Sequence, residues 1–288
     1  MLGINTNTAS LVAQKNLSAS GGSLNSSIAR LSSGLRVNSA KDDAAGLAIA
    51  ERLTAQIRGY DVAARNANDG ISALQVADGA MGKISDNLQR MRELAVQSKN
   101  GTLNATDRTN LNREYSELAS EVDRIAFGTQ FNGNDVFSTA NKTLSFQVGT
   151  GNAAADTLAL NLTDDGTAAG NDLQVALGGN TAGDIVTAFG NINDVANGTT
   201  AITTIDAAID TITNARAVVG AGQSRLEQVV EFAGTQSTNL NTAKGRIMDA
   251  DFAKETANLT RAQILQQAGT AMLAQANQLP QNVLSLLQ

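Results

Sequence analysis

The sequence predicts a mainly α protein, a long coiled-coil-like helical bundle formed by both chain ends with a small β-hairpin region in the middle. Three observations predict it. Apolar residues recur at steps of three and four over two long stretches, 44–98 and 202–247, a mean step of about 3.5 that lets helices wrap each other. Between them, from 134 to 200, the composition turns to Thr, Asn, Gly and Asp. The outermost segments are again helical in pattern but poor in charge.

Taking the elements in order, residues 1–38 place Leu11, Leu17, Leu24, Ile28, Leu31 and Leu35 at helical spacing, with Lys15 the lone charge before Arg30. A second helix is expected to start at Ser39, because Asp42 three residues on forms a capping box and Asp43 adds an acid to the first turn. Its stripe then runs Ile49, Leu53, Ile57, Tyr60, Ala63, Ala67, Ile71, Leu74, Ala77, Met81, Ile84, Leu88, Met91 and Leu94. Asp69-Gly70 usually marks a turn, yet the stripe passes through it in phase. One unbroken helix of more than 50 residues, roughly 80 Å long, is therefore expected. Asn100-Gly101 ends it. A shorter helix follows over about 107–125, and Asn132-Gly133 is a turn.

Leu144 to Val148 and Thr157 to Leu162 alternate like two strands joined by a Gly-rich connection. Between Lys142 and Arg216 every charge is an Asp, which reads as a solvated, outward segment. Helical periodicity resumes near Ile202 through Ile205, Ile209, Ile212, Val219, Leu226, Val229, Ala233, Leu240, Ala243 and Ile247. The last stretch, 252–288, carries no charge after Arg261 but holds Leu259, Ile264, Leu265, Met272, Leu273, Leu279, Val283, Leu284, Leu286 and Leu287. Gln and Asn interrupt it throughout, so it is no membrane span. Burying that apolar set offsets no more than the entropy of ordering its backbone. The segment is expected to fold on something beyond its equally short mate, residues 1–38. Other copies of the chain are the natural source, and folding coupled to assembly follows.

Composition narrows the functional classes. The 288 residues are 42% hydrophobic but only 3% aromatic, so Ala, Leu, Ile, Val and Met must pack the core. His and Cys are both absent. That removes Ser-His-Asp and Cys-His catalysis, the common zinc ligands and any disulfide. No enzyme activity, cofactor or metal is expected. A net charge of −6 argues against nucleic acid. The N-terminal MLGINTNTASLVAQK lacks a basic leader and a long apolar run, so it does not read as a secretory signal, and no membrane insertion is expected. Gly220-Ala-Gly222 lacks the third glycine and preceding strand of a nucleotide loop. Asp164-Asp165-Gly166 lacks the closing Glu of a calcium loop.

The flanks resemble bacterial flagellin. The matching blocks are INTN at 4–7, SSGLRVNSAKDDAAGLAIAERL at 32–53, RNANDGIS at 65–72, LQRMRELAVQS at 88–98, GTQFNG at 128–133, FQVG at 146–149 and RAQILQQAGTAMLAQANQLPQNVLSLL at 261–287. The resemblance implies an inner D0 pair, 1–40 with 250–288, whose segment 250–288 is the D0 C-terminal helix. It implies a D1 shell of 41–165 with 200–249, and a short variable outer segment at 166–199. From the same resemblance, Asp249-Ala-Asp251 is read as a helix boundary at the joint between D1 and D0. It implies a structural subunit that polymerises head-to-tail into the helical flagellar filament for motility. Such a subunit is extracellular and leaves through the flagellar type III export system without a cleaved signal peptide. The implied partners are copies of itself, the flagellar export chaperone, the filament cap and the hook-filament junction proteins. Leu259, Ile264, Leu265, Met272, Leu273, Leu279, Val283, Leu284, Leu286 and Leu287 would serve D0 self-assembly and chaperone binding. Arg90, Leu94 and Glu114 match family positions recognised by the vertebrate receptor TLR5 and buried between subunits; Arg90 and Leu94, four apart, would share one helix face. Leu284, Leu286 and Leu287 resemble those sensed by cytosolic NAIP-type sensors. Two rivals stand beside this reading. A hook-filament junction protein shares the terminal helices, and a monomeric coiled-coil binding protein would keep both ends folded alone.

Overall fold

The structure is a computed structural model that describes residues 6–137, 143–161, 177 and 183–285, with side chains over 6–137, 144–160, 177 and 183–278. Helices α1 (Thr8–Ser33), α2 (Ala44–Ser98) and α3 (Ala105–Gly128) come first. Two short strands β1 (Gln130–Phe131) and β2 (Asn134–Asp135) and two longer ones β3 (Thr143–Gln147) and β4 (Thr157–Asn161) follow. Helices α4 (Asp184–Phe189), α5 (Val195–Met248) and α6 (Phe252–Ser285) complete the described chain. It divides into two compact units, Met1–Ile57 with Thr238–Gln288, and Arg58–Ser237.

The second unit holds the main core. The α2 stripe turns inward as its spacing demands: Ala67, Leu74, Ala77, Met81, Ile84, Leu88, Met91 and Leu94 are all buried. Facing residues from α5 (Ile205, Ile212, Val219, Leu226) and from α3 (Tyr115, Ala119, Val122) close the same cluster. The helix runs through Asp69-Gly70 without a break. A Cβ at Gly70 would stand 3.0 Å from both Leu226 and Phe146, so the missing side chain lets α5 and β3 come close. Ion pairs Arg92–Asp206 at 2.6 Å and Arg216–Asp78 at 2.8 Å join α2 to α5 on the rim.

α3 starts two residues earlier than its periodicity indicates. Asn104 and Asp107 exchange side chain-to-backbone hydrogen bonds in a capping box. The β1–β2 hairpin turns at Asn132 (φ 51°) and Gly133 (φ 75°), the left-handed pair that a two-residue hairpin requires. β3 and β4 pair antiparallel with Leu144 opposite Leu160 and Phe146 opposite Leu158. One face of this ribbon is thus apolar and covers the core. The ribbon's connection is tied to α2, where the Asn66 amide donates to the Gln147 carbonyl at 3.0 Å.

Three expectations change. Ser39 does not cap α2. The Asp42 carboxylate instead accepts from the Asn38 and Ser39 backbone N–H groups and the Ser39 hydroxyl, closing a turn. Asp43 caps the helix by accepting from Gly46 N–H at 2.8 Å, so α2 begins at Ala44. At that end Ala50 is buried and Ile49 is exposed, since the small side chain suits the tight packing against Val37 and Met248. The segment 166–199 was expected to lie outside. It is described at 177 and 183–199, and there Leu177, Ile185, Phe189 and Ile192 are buried in the core. The short helix α4 packs on α3, with the Tyr115 hydroxyl donating to the Phe189 carbonyl at 3.0 Å and the Ile192 N–H donating to Asn112 at 2.8 Å. The helix spans only six residues, too short for its apolar spacing to stand out as a stripe in a polar run, which is why the sequence hides this element.

In the first unit α1 and α6 pack antiparallel. The Asn7 amide donates to the Ala276 carbonyl, the Ser10 hydroxyl to Asn277, and Leu17 lies against Gly269. At the other end Leu35 bridges to Asp249, and the Ala250 N–H donates to Gly34, whose φ of 73° ends α1. Val37, Ala50 and Met248 form a small separate cluster there. This cluster takes the start of α2 and the end of α5 into the first unit. Asp251 accepts from the Ala253 and Lys254 N–H groups and caps α6. The boundary read at Asp249–Asp251 is thereby confirmed.

Candidate functional site

The surface with functional character lies on the α1–α6 pair. Its seam is made of small side chains: Ser10, Ser27, Ala262 and Ala276 are buried between the helices. Small residues let the two backbones approach, but they bury little apolar area. Several large residues point away. Leu11, Val12, Ile28, Phe252, Ile264, Leu265 and Met272 are each between 48% and 63% exposed. Leu259 and Leu273 are half-buried. Leu279, Val283 and Leu284 lie on the last turns of α6, outside the described side chains, and Leu286 and Leu287 lie outside the described residues.

This pattern is the reverse of the second unit, where residues of the same size on α2 and α5 are fully buried. Soluble single chains rarely leave so many large apolar side chains in one region without a partner surface. The α6 stripe was found from its spacing and lack of charge. Val12 and Phe252 were not singled out. Phe252 had one signal, a rare aromatic beside a helix boundary.

The second candidate cluster is polar. The Arg90 guanidinium donates to Glu114 at 2.9 Å and pairs with Glu93 at 2.9 Å, in solvent. The Glu114 hydrogen bond, with Glu93 behind it, raises the Arg90 pKa further above its ordinary value. Leu94 does not share this surface, against expectation: it is buried in the main core beside Met91. Its position belongs to the inward stripe, whereas Arg90 sits at the stripe's margin and its long stem bends out to the two carboxylates. Among the described residues no group of Asp and Glu could hold a metal ion, and no helix is long and apolar enough to cross a membrane. What the arrangement can do chemically is bury apolar surface against another protein.

Comparison with known proteins agrees. Residues 4–142 match the bacterial flagellin N-terminal helical region, and residues 202–287 match the bacterial flagellin C-terminal helical region. A flagellin of Halalkalibacterium halodurans is 42% identical over 285 residues, covering 99% of each chain. The flagellar filament 33 kDa core protein of Treponema phagedenis is 41% identical over 297 residues, again covering 99% of each. A solved structure of a putative flagellar hook-associated protein from Vibrio parahaemolyticus shares the fold, with TM-score 0.54 and 16% identity over 72% of this chain and 100% of that one. The chain thus belongs to the bacterial flagellin family: it is a structural protein and not an enzyme, a subunit whose copies polymerise into the extracellular flagellar filament.

Proposed function

We propose that polymerisation completes the fold of this chain, with the α1–α6 pair as the inner D0 layer and the larger unit as the surrounding D1 layer. The carrying observation is the set of large side chains on α1 and α6 left about half exposed. Contacts that repeat head-to-tail without closing generate a helical filament, and such contacts would cover this set. The small-residue seam holds the pair together weakly, so the ends stay soft until neighbours enclose them. Softness of this kind suits a subunit exported largely unfolded through the type III flagellar pathway without a cleaved signal. The same apolar segment, from Ala262 to Leu287, is what the export chaperone would hold before release. The filament cap and the hook-filament junction proteins would meet the same helices at the filament's two ends.

The test compares monomer and filament by limited proteolysis and amide hydrogen exchange. Fast cleavage and exchange over 1–38 and 252–288 in dilute monomer, with protection in filaments, is the expected result. Ends equally protected in both states would refute coupled folding and favour the monomeric coiled-coil reading.

A second reading rests on the Arg90–Glu114–Glu93 cluster, which is exposed in the single chain. Recognition by TLR5 would use Arg90 and Glu114, with Leu94 supporting the helix from beneath. An Arg90→Ala chain that keeps full receptor activation would remove it. Sensing by NAIP-type proteins would rest on Leu284, Leu286 and Leu287, and truncation before Leu284 tests it.

A further inference from the structure

Three Asn-Gly pairs occur in the chain, at 100–101, 132–133 and 197–198. Such a pair can react with itself. The backbone nitrogen after the asparagine attacks the side-chain carbonyl carbon, and glycine presents no side chain to hinder the approach. Reaction requires that this nitrogen be free and that the backbone around it can yield. The structure separates the three pairs on both counts.

At 197–198 both residues are engaged. The Gly198 N–H donates to the Asp194 carbonyl at 3.0 Å in the first turn of α5. The Asn197 amide is tied down by donating to Asn191 Oδ1 at 2.9 Å and to Asp194 Oδ2 at 3.0 Å. A Cβ on Gly198 would stand 2.7 Å from the Ser98 hydroxyl, so the backbone there has little room to rearrange. At 132–133 the two residues are the left-handed pair of the β1–β2 hairpin. Closing a ring through Asn132 would turn its backbone out of that conformation and part the strands.

Asn100-Gly101 differs from both. It lies just past the end of α2, and its two residues are exposed. Among the described residues the Gly101 N–H donates to no acceptor. The Asn100 side chain is folded over the following peptide, because its Oδ1 accepts from the Thr102 N–H at 3.1 Å. That donor faces the oxygen on which negative charge develops when the carbonyl is attacked. The main chain of Asn100 is held meanwhile: its N–H donates to the Gln97 carbonyl at 3.0 Å, and its carbonyl accepts from Arg108 Nη2 at 3.1 Å.

We propose that Asn100-Gly101 is a self-modification site at which the folded chain deamidates itself. The Gly101 nitrogen gives its proton to solvent and bonds to Asn100 Cγ. The Cγ–Nδ2 bond breaks, and the leaving nitrogen takes up a proton and departs as ammonia. Water then opens the cyclic imide at either carbonyl and leaves aspartate or isoaspartate at 100. Nothing is oxidised or reduced. Each event places one negative charge beside the C-terminal end of α2, where the helix dipole disfavours it. In the isoaspartyl product the main chain runs through Cβ and Cγ, and the carbonyl that Arg108 holds becomes a free carboxylate.

The experiment incubates the full-length chain in mildly alkaline buffer, folded in one sample and unfolded in urea in the other. Peptide mapping by mass spectrometry follows amide-to-acid conversion at all three pairs, and the unfolded sample supplies the intrinsic rate of each. The folded-to-unfolded rate ratio at Asn100 is expected to exceed those at Asn132 and Asn197 by about tenfold or more, since the latter two must await local opening. A smaller separation from either of them overturns the proposal. A second arm uses Gly101→Ala. A Cβ at Gly101 would meet nothing within 4 Å, so this variant keeps the turn. It should slow conversion at Asn100 with the urea midpoint unchanged. An undiminished rate at Asn100 would mean that water attacks the side chain directly, and the proposal falls.

Discussion

Consider the triple substitution Ile264→Ala, Leu265→Ala and Met272→Ala on α6. Complete burial of a side chain of this size contributes about 1.5–3 kcal/mol. In the single chain these three keep 59%, 53% and 63% of their surface exposed. Somewhat more than half of the burial energy, about 1 kcal/mol each, is therefore available only when a neighbouring copy covers them. Truncating all three removes about 3 kcal/mol from each subunit addition, roughly a hundredfold in steady-state monomer concentration. The folding stability of the larger unit should not move, because none of the three touches its core. Seeded polymerisation followed by sedimentation measures the first quantity, and a urea melt of the monomer measures the second. As a control, Leu74→Ala, fully buried, should shift the urea midpoint by the equivalent of about 2–5 kcal/mol. Should the triple variant polymerise at the unsubstituted chain's concentration, the exposed set does not lie in a subunit contact and the reasoning fails.

Gly222→Val should destabilise the larger unit by about 1–3 kcal/mol, since a Cβ there would stand 2.8 Å from Leu160 beneath the β3–β4 ribbon; thermal unfolding checks it. Tyr115→Phe removes the buried hydrogen bond to the Phe189 carbonyl and should cost roughly 1–2 kcal/mol, with faster amide exchange over 184–192 as its local signature. Burial pushes the Tyr115 phenol well above its ordinary range, so a Tyr60→Phe chain, which keeps Tyr115 as its one tyrosine, should show no phenolate absorbance at pH 10 while the unit stays folded. The Ser39 hydroxyl and two backbone N–H groups hold the Asp42 carboxyl below the usual 3.8. Its folded pKa is depressed, so its contribution is complete above that value and fades as pH falls through the lower folded pKa. Exchange of the Asn38 and Ser39 amides should therefore accelerate only at acid pH, and an Asp42→Asn chain should lose that pH dependence.

Long periodic elements were legible because many residues vote for the same phase. From Ile57 to Leu94 the stripe points inward as read, including the passage through Asp69-Gly70 that local turn chemistry would have broken. The β3–β4 ribbon was legible for the same reason, with alternation on both strands. The cap at Ser39 was misread because a Ser-x-x-Asp spacing fits a turn as well as a helix start, and Asp43 next door competed for the role. Helix α4 was invisible because six residues carry too few apolar positions to display a period. Arg90 and Leu94 share a spacing but not an environment, and spacing alone does not separate the margin of an apolar stripe from its centre.

Periodicity was enough to establish a helical chain, while the missing His and Cys and the uncharged, amide-rich ends set the expectations of no His- or Cys-based catalysis and of extremities that seek outside surface. These are additive properties of side chains along one axis. The direction each large side chain takes was settled only once the helices packed: small residues meet at the α1–α6 seam and leave Ile264, Leu265 and Met272 outside. Likewise, only packing brought Glu255 and Arg30, more than 220 residues apart in sequence, to line one groove. Burial and pairing depend on which distant residue arrives opposite, and a one-dimensional pattern carries no record of that.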